Sequence, residues 1–142
     1  MENLDNIILF LIDQTSKNAK RYSQREFDQR KMGISVDQWV LLKVIEENPG
    51  LSQKELADKS IRDGASITRS LDLLEKKKLI KRVEIPDNRR QYQIHLTETG
   101  RLFIQEHMQL VNQHRAQSLA GFSAEEIEVL KSMLVRIQKN MS

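Results

Sequence analysis

Polar and apolar positions along this chain predict several α-helices interrupted by one short β-hairpin. Three segments share the order apolar–Ser–x–x–Glu/Gln–apolar. In this order the Ser side chain accepts a bond from the amide three residues on, and the Glu or Gln bonds back to the Ser amide. The order predicts helix starts at Ser35, Ser52 and Ser123, in the segments ISVDQW (34–39), LSQKEL (51–56) and FSAEEI (122–127).

The first two of these starts belong to a predicted helix-turn-helix. The helix from Ser35 carries one apolar stripe and stops at Pro49–Gly50. A short helix from Ser52 to about Lys59 follows, and after a turn Asp63 can cap a third helix that runs to about Lys77. Three short helices with a tight link between the last two favour a helix-turn-helix. The apolar stripe consists of Trp39, Leu42 and Ile45.

After residue 80 the hydrophobic period changes from 3.6 to 2, which predicts a β-hairpin. The segment PDNR (86–89) has the residues of a turn. The expected fold is therefore mainly α with a small β-hairpin wing, that is, a winged helix-turn-helix. The alternation predicts that Val83 and Ile85 share a face with Tyr92, Ile94 and Leu96, and that Glu84, Gln91, Gln93 and His95 share the other.

Long helices are predicted on both sides of the winged segment. The first, about 3–31, begins with exposed apolar positions, and the last two run from Thr97 to Gly121 and from Ser123 onward. A winged domain of three short helices and a hairpin is too small to cover these apolar ends by itself. They predict an intertwined homodimer, with dimerisation helices at 1–33 and 97–142 and a winged helix-turn-helix lobe at 34–96. The apolar positions are Leu4, Ile7, Ile8, Leu11 and Ile12, and Ile127, Leu130, Leu134, Ile137 and Met141.

The apolar ends are also compatible with two alternatives. The first and last helices could pack on each other within one chain. The first helix could instead lie on a membrane surface, but its polar face carries Asp5 and Asp13 and lacks the Lys and Arg typical of such helices. The expectation is therefore a homodimer without membrane association.

Composition narrows the class of protein further. The chain has 142 residues, of which 39% are hydrophobic and 30% charged, as suits one folded domain. It has no Cys, which excludes disulfides and thiolate metal sites, and it has no eighteen-residue apolar window. Asp5 before the apolar stretch 7–12 and the lack of a basic leader argue against a signal peptide. The simplest location is the cytoplasm.

Positive charge is concentrated although the net charge is only +3. Residues 61–90 hold nine Lys or Arg against five Asp or Glu, and residues 17–31 hold six against two. Clustered cations are typical of nucleic-acid binding, but a charge run alone is more often a solvated surface. The position of the cations has to decide between the two.

The third helix supplies that position. Ile67, Leu71 and Leu74 fall on one side of a helical wheel, and the opposite side near the N-terminus is small and hydrogen-bonding. Such a face fits the major groove, where Arg binds guanine and Ser or Thr bind phosphate or base edges. It also suits ordinary solvent exposure. The candidate DNA-binding residues here are Arg62, Ser66, Thr68 and Arg69.

The hairpin tip favours DNA. Arg89 and Arg90 lie where a wing would reach the neighbouring minor groove, whose negative potential attracts guanidinium groups. Asp87 is too short to reach DNA and would be repelled by it. We expect Asp87 to hold a wing Arg in shape or to cap the turn.

The runs LSQKELADKSIRDGASITRSLDLLEKKKLIKR (51–82) and DNRRQYQIHLTETG (87–100) resemble the MarR family of bacterial transcriptional regulators. The resemblance implies a homodimer that presents two winged helices to a pseudo-palindromic operator. The expected function is a transcriptional repressor, and no cofactor is expected. Asp87 and Arg89 match the wing acid and minor-groove arginine of the family, and Ser66, Thr68 and Arg69 fall on its recognition helix. Lys78 departs from the family pattern, which typically has Gly there; a left-handed residue at this point would be mildly strained.

The resemblance also implies release from DNA by a small aromatic or lipophilic acid. Tyr22, Trp39 and Phe103 are candidates to line its cavity, although the position of Trp39 opposite Ile34 fits a core residue better.

Three other functions compete. No catalytic arrangement argues for an enzyme; a zinc site at His107 and His114 is disfavoured by about 10.5 Å of helical rise between them; and a winged-helix protein–protein adaptor stays open.

Overall fold

A computed structural model describes residues 3–60 and 64–142, without the side chains of Arg89 and Arg90. The fold is mainly α with one antiparallel hairpin, which confirms the predicted class. The chain forms two compact units, Met1–Gln109 and Leu110–Ser142. The elements are α1 (Ile8–Gln29), α2 (Val36–Glu47), α3 (Gln53–Ser60), α4 (Gly64–Lys76), β1 (Ile80–Ile85), β2 (Asn88–Leu96), α5 (Glu98–Ser118) and α6 (Ala124–Asn140).

All three predicted capping boxes are present. Ser35 Oγ accepts from the Gln38 amide at 3.1 Å while Gln38 accepts from the Ser35 amide at 2.8 Å. Ser52 exchanges the same two bonds with Glu55, and Ser123 exchanges them with Glu126. These contacts involve residues three apart, so the helix starts follow from local sequence alone.

The N-terminal segment differs from the single helix predicted for 3–31. A 3₁₀ turn at Leu4–Asn6 comes first, and Ile7 has extended backbone angles before α1 begins at Ile8. The apolar side chains Leu4, Ile8 and Leu11 are exposed, as the sequence predicted. No helix in the described part of the chain is long and apolar enough to cross a membrane.

Helix α4 ends in a Schellman motif at Lys78. The Leu79 amide donates to the Leu74 carbonyl at 3.0 Å, and the Lys78 amide donates to the Glu75 carbonyl at 2.8 Å. The motif requires a left-handed residue between the helix and the strand, and Lys78 has φ of 65°. The strain predicted at this position is therefore present, since Gly would adopt this angle without cost.

The start of α5 is bound to the same turn. Thr97 Oγ1 donates to the Lys78 carbonyl at 2.6 Å and accepts from the Gly100 amide at 2.9 Å. A Cβ at Gly100 would lie 2.1 Å from the Leu79 carbonyl oxygen, closer than atoms can approach. The sequence Thr–Glu–Thr–Gly at 97–100 is thus the contact between α5 and the exit of α4.

The hairpin register corrects the predicted faces. Arg82 pairs with Ile94 and Glu84 pairs with Tyr92, while Val83 pairs with Gln93. Directly paired residues point to the same side, so Val83 lies on the side of Gln93 and His95 and is exposed. The prediction that Val83 shares a face with Ile94 was wrong, because the charged Arg82 takes that inner position.

A third extended segment joins the hairpin. The Ile94 amide donates to the Leu51 carbonyl at 2.9 Å, and Ser52 forms a bridge with Gln93. The segment just before α3 therefore anchors the base of the hairpin to the helix-turn-helix. This pairing was not predicted from the sequence.

The core of the first unit lies beneath α2, α3 and α4. Trp39, Leu42 and Ile45 are buried, as the predicted stripe of α2 requires. The inner positions of α4 are also buried, so the predicted wheel is correct, while Asp63, the cap predicted for this helix, lies outside the described residues. The inner positions are Ile67, Leu71 and Leu74.

Candidate nucleic-acid interface

The outward face of α4 is small and polar. Thr68 and Arg69 are exposed and Ser66 is half-exposed, whereas Ile67 between them is buried. Helical periodicity produces this separation, because the buried positions recur at intervals of three or four residues. A helix that presents a hydroxyl and a guanidinium without bulky apolar groups can enter the major groove of DNA.

Gln53 joins this face from the first turn of α3. Its Nε2 donates to Thr68 Oγ1 at 2.8 Å, and Thr68 Oγ1 in turn donates to the Gly64 carbonyl at 2.9 Å. A shallow groove of about 470 Å³ lies beside this pair, and Gln53, Lys54, Thr68 and Gln91 line it. No sequence pattern indicated Gln53, since the bond crosses fifteen residues.

The wing is shorter at its tip than predicted. Only Pro86 and Asp87 form the turn, and β2 already begins at Asn88. Asp87 is exposed and has φ of 70°, a left-handed angle that Asp tolerates better than most residues. The backbone of Arg89 and Arg90 belongs to β2 rather than to the turn. Their side chains, and the whole of Arg62, lie outside the described residues.

Arg82 fixes the wing to α4. Its guanidinium lies 2.8 Å from Asp72 Oδ1 and 3.0 Å from Glu75 Oε1, and its side chain is only 15% exposed. Two ionic contacts to one rigid group constrain orientation as well as distance. Arg82 was not among the predicted site residues. The alternation of polar and apolar residues along a strand does not indicate an Arg that faces inward.

The three candidate ligand residues differ in burial. Trp39 is buried, with its ring edge-to-face on Phe27 at 6.2 Å and tilted on Phe103 at 6.4 Å. Tyr22 and Phe103 are half-buried. Trp39 is thus a core residue, in line with its predicted position. Its Nε1 is buried and has no hydrogen-bond acceptor among the described residues.

The described residues contain no group of three or more His, Cys, Asp or Glu placed to hold a metal ion. His107 packs on Phe103 with ring centroids 4.3 Å apart, and its Nδ1 lies 2.9 Å from the Phe103 carbonyl oxygen. Contacts within α5, between residues four apart, therefore account for the orientation of the His107 ring.

A helix-turn-helix followed directly by an antiparallel wing defines a winged-helix protein. Comparison with known families agrees with this class: residues 34–92 match the sequence model of the MarR family. The match covers α2, α3, α4, β1 and the first half of β2.

Solved structures extend the likeness to nearly the whole chain. A probable transcriptional regulator from Pseudomonas aeruginosa is 26% identical, with 95% of this chain and 99% of that chain covered and a TM-score of 0.84. The transcriptional regulator SlyA is 28% identical, with 94% and 93% covered and a TM-score of 0.83. A MarR mutant from E. coli in complex with operator DNA is 21% identical, with 96% and 99% covered and a TM-score of 0.83, and shows likeness of fold.

Proposed function

We propose that the chain is a sequence-specific DNA-binding transcriptional regulator that inserts α4 into the major groove. The observation that carries this proposal is the exposed face of α4, with Thr68 and Arg69 outward and the wing fixed beside it through Arg82. The match of residues 34–92 to the MarR family model and the likeness to a probable transcriptional regulator support the same function. Regulation by DNA binding needs no catalytic group, so the chain is not proposed as an enzyme.

The chemistry of the α4 face suits base recognition. The exposed guanidinium of Arg69 can donate two bonds to O6 and N7 of guanine, which is the commonest specific contact in the major groove. Thr68 and Ser66 supply hydroxyl groups beside it. Together these residues give one strong and two weaker contacts within a single turn of helix.

The wing is proposed to enter the adjacent minor groove through Arg89 and Arg90. Their strand leads away from a two-residue turn, and that geometry makes the wing narrow at its tip. Arg side chains are favoured in narrow minor grooves because the negative potential is strongest there. The proposed role of Asp87 is to shape the turn or an Arg of the wing.

A homodimer is proposed because apolar side chains are exposed near both ends of the chain. Leu4, Ile8 and Leu9 are more than half exposed near the N-terminus, and Met133 is 54% exposed on α6. Contiguous exposed apolar side chains of this kind mark interaction surfaces. Two copies of a winged helix would then contact a pseudo-palindromic operator, with recognition helices about 34–36 Å apart.

A repressor role and release by a small aromatic or lipophilic acid are proposed from the family resemblance, and a cytoplasmic location is proposed from the composition. One observation suits the ligand. The buried Nε1 of Trp39 lacks an acceptor among the described residues, and the carboxylate of such an acid would provide one. Tyr22 and Phe103 would line the same site.

In vitro selection from a random pool of duplex DNA tests the proposed function. The purified chain should enrich one sequence in the form of an inverted repeat, because a dimer reads two half-sites. Failure to enrich any sequence at 50 mM salt would contradict DNA recognition and favour a protein–protein adaptor. Enrichment of a single unrepeated site would contradict the dimer alone.

A further inference from the structure

Thr68 is the centre of a directed hydrogen-bond chain on the exposed face of α4. A Thr hydroxyl has one hydrogen to donate and two lone pairs that accept. The hydrogen is used on the Gly64 carbonyl at 2.9 Å, and Gln53 Nε2 occupies one lone pair at 2.8 Å. What remains for a ligand is one lone pair, so in this arrangement Thr68 can only accept.

From this we infer that Gln53 is a positioning residue for base specificity, which holds the Thr68 hydroxyl as an acceptor that selects adenine or cytosine over guanine or thymine. The inference rests on the proposed function. In the major groove adenine N6 and cytosine N4 carry amino hydrogens, whereas guanine and thymine present only acceptors. Phosphate oxygens are acceptors as well. A hydroxyl held in this state therefore bonds neither phosphate nor the keto bases.

Gln53 is needed because Thr68 alone would not keep this arrangement. A Thr side chain in a helix populates two χ1 rotamers, and not both of them direct Oγ1 to the carbonyl four residues back. The bond from Gln53 favours the rotamer in which Oγ1 lies between α3 and α4. Without it the hydroxyl can turn and donate to guanine, thymine or phosphate, and the discrimination between bases is lost.

The neighbouring Lys54 offers a matched control. It follows Gln53 in α3, is exposed and lines the same groove. A Lys at this place can approach a phosphate, but it has no bond to Thr68 in the described structure. Lys54→Ala should therefore weaken binding to all sequences alike, whereas Gln53→Ala should change which bases are preferred.

The experiment is in vitro selection with the full chain and five proteins in parallel: wild type, Gln53→Ala, Lys54→Ala, Thr68→Val and Thr68→Ser. In wild type, one position of each half-site should favour A or C over G or T by roughly fivefold, the value of one hydrogen bond. Gln53→Ala and Thr68→Val should lose that preference at the same position and keep the others. Thr68→Ser, which retains the hydroxyl, and Lys54→Ala should preserve it. Thermal unfolding of each variant controls for the fold, and Ala at the first turn of α3 should keep the helix.

The outcomes separate this inference from the proposed function. If wild type enriches no sequence, the proposed function fails and the inference fails with it. If wild type enriches an operator but Gln53→Ala selects the same bases, Gln53 does not set specificity and only the inference is overturned. An equal loss of affinity for every sequence in Gln53→Ala would make Gln53 a phosphate contact and would also overturn it. An A or C preference that survives unchanged in Thr68→Val would overturn it too, because the Thr68 hydroxyl would then not be the acceptor.

Discussion

At the scale of single residues, Lys78 shows how one position can join two elements at a cost in stability. The Schellman motif at the end of α4 needs a left-handed residue, and a Lys with φ of 65° fills that place. The same backbone turn presents the Lys78 carbonyl to Thr97. The turn with this strained residue therefore connects α4, the wing and the start of α5.

The strain at Lys78 can be measured by substitution. Lys78→Gly should raise the free energy of unfolding by about 1 kcal/mol, because Gly reaches the left-handed region without the Cβ penalty. Urea denaturation followed by circular dichroism measures the change. Lys76→Gly is the matched control: it removes the same side chain from a helical position and should lower stability by roughly 0.5–1 kcal/mol. Equal effects in both variants would show that the angle at Lys78 carries no strain.

At the scale of elements, the relation between wing and recognition helix depends on Arg82. The backbone bond between Ile94 and Leu51 holds the base of the hairpin. The ionic contacts of Arg82 with Asp72 and Glu75 join β1 to α4. Both grooves of the DNA can be read at once only if wing and helix keep one mutual orientation. We therefore expect a change at Arg82 to alter both the stability of the lobe and its affinity for DNA.

Arg82→Met should lower the free energy of unfolding by about 1 kcal/mol, because two ionic contacts are lost while the carboxylates of Asp72 and Glu75 stay partly hydrated. It should also weaken operator binding. The effect would be indirect, because the Arg82 guanidinium contacts acids of α4. Lys81→Met removes one positive charge from the adjacent exposed position and should change stability by less than about 0.5 kcal/mol. Urea denaturation and fluorescence anisotropy measure the two quantities. A loss in Lys81→Met as large as in Arg82→Met would mean that net charge, rather than the ionic contacts to α4, matters.

The sequence predicted those elements whose causes are local. The capping boxes at Ser35, Ser52 and Ser123 involve side chains three residues apart, and the helix starts were correct. The predicted faces of the hairpin were wrong. Arg82 lies on the inner side, where it contacts two acids of α4. Gln53 was missed for the same reason. Periodicity reports what one segment does alone, and both contacts are made between segments.

At the scale of the whole molecule, recognition of a two-fold operator requires a pair of chains. Helix α6 exposes Val129, Leu130 and Met133 along one face, each at least 40% exposed in the single chain. This exposure is unfavourable in water and would be relieved by burial against a second copy. Leu130 also belongs to the stripe of the last helix from which dimerisation was predicted.

Leu130→Glu should therefore convert a dimer of twice 16.6 kDa into a monomer. A carboxylate in an apolar interface cannot be hydrated or paired, which costs several kcal/mol. Ser132→Glu introduces the same group at an exposed polar position of α6 and should leave the dimer intact. Sedimentation equilibrium gives both masses. A wild-type monomer, or a Leu130→Glu dimer, would contradict the assignment of this face.

The most direct test of whether α4 and the wing bind duplex DNA is the Kd for the selected operator between 50 and 200 mM salt. If six or more phosphates are contacted by clustered cations, affinity should fall by roughly 10³-fold across this range, because bound counterions are released on binding. Fluorescence anisotropy of a labelled duplex measures it. A Kd that does not change with salt, or no binding at 50 mM, would contradict DNA recognition by these two elements.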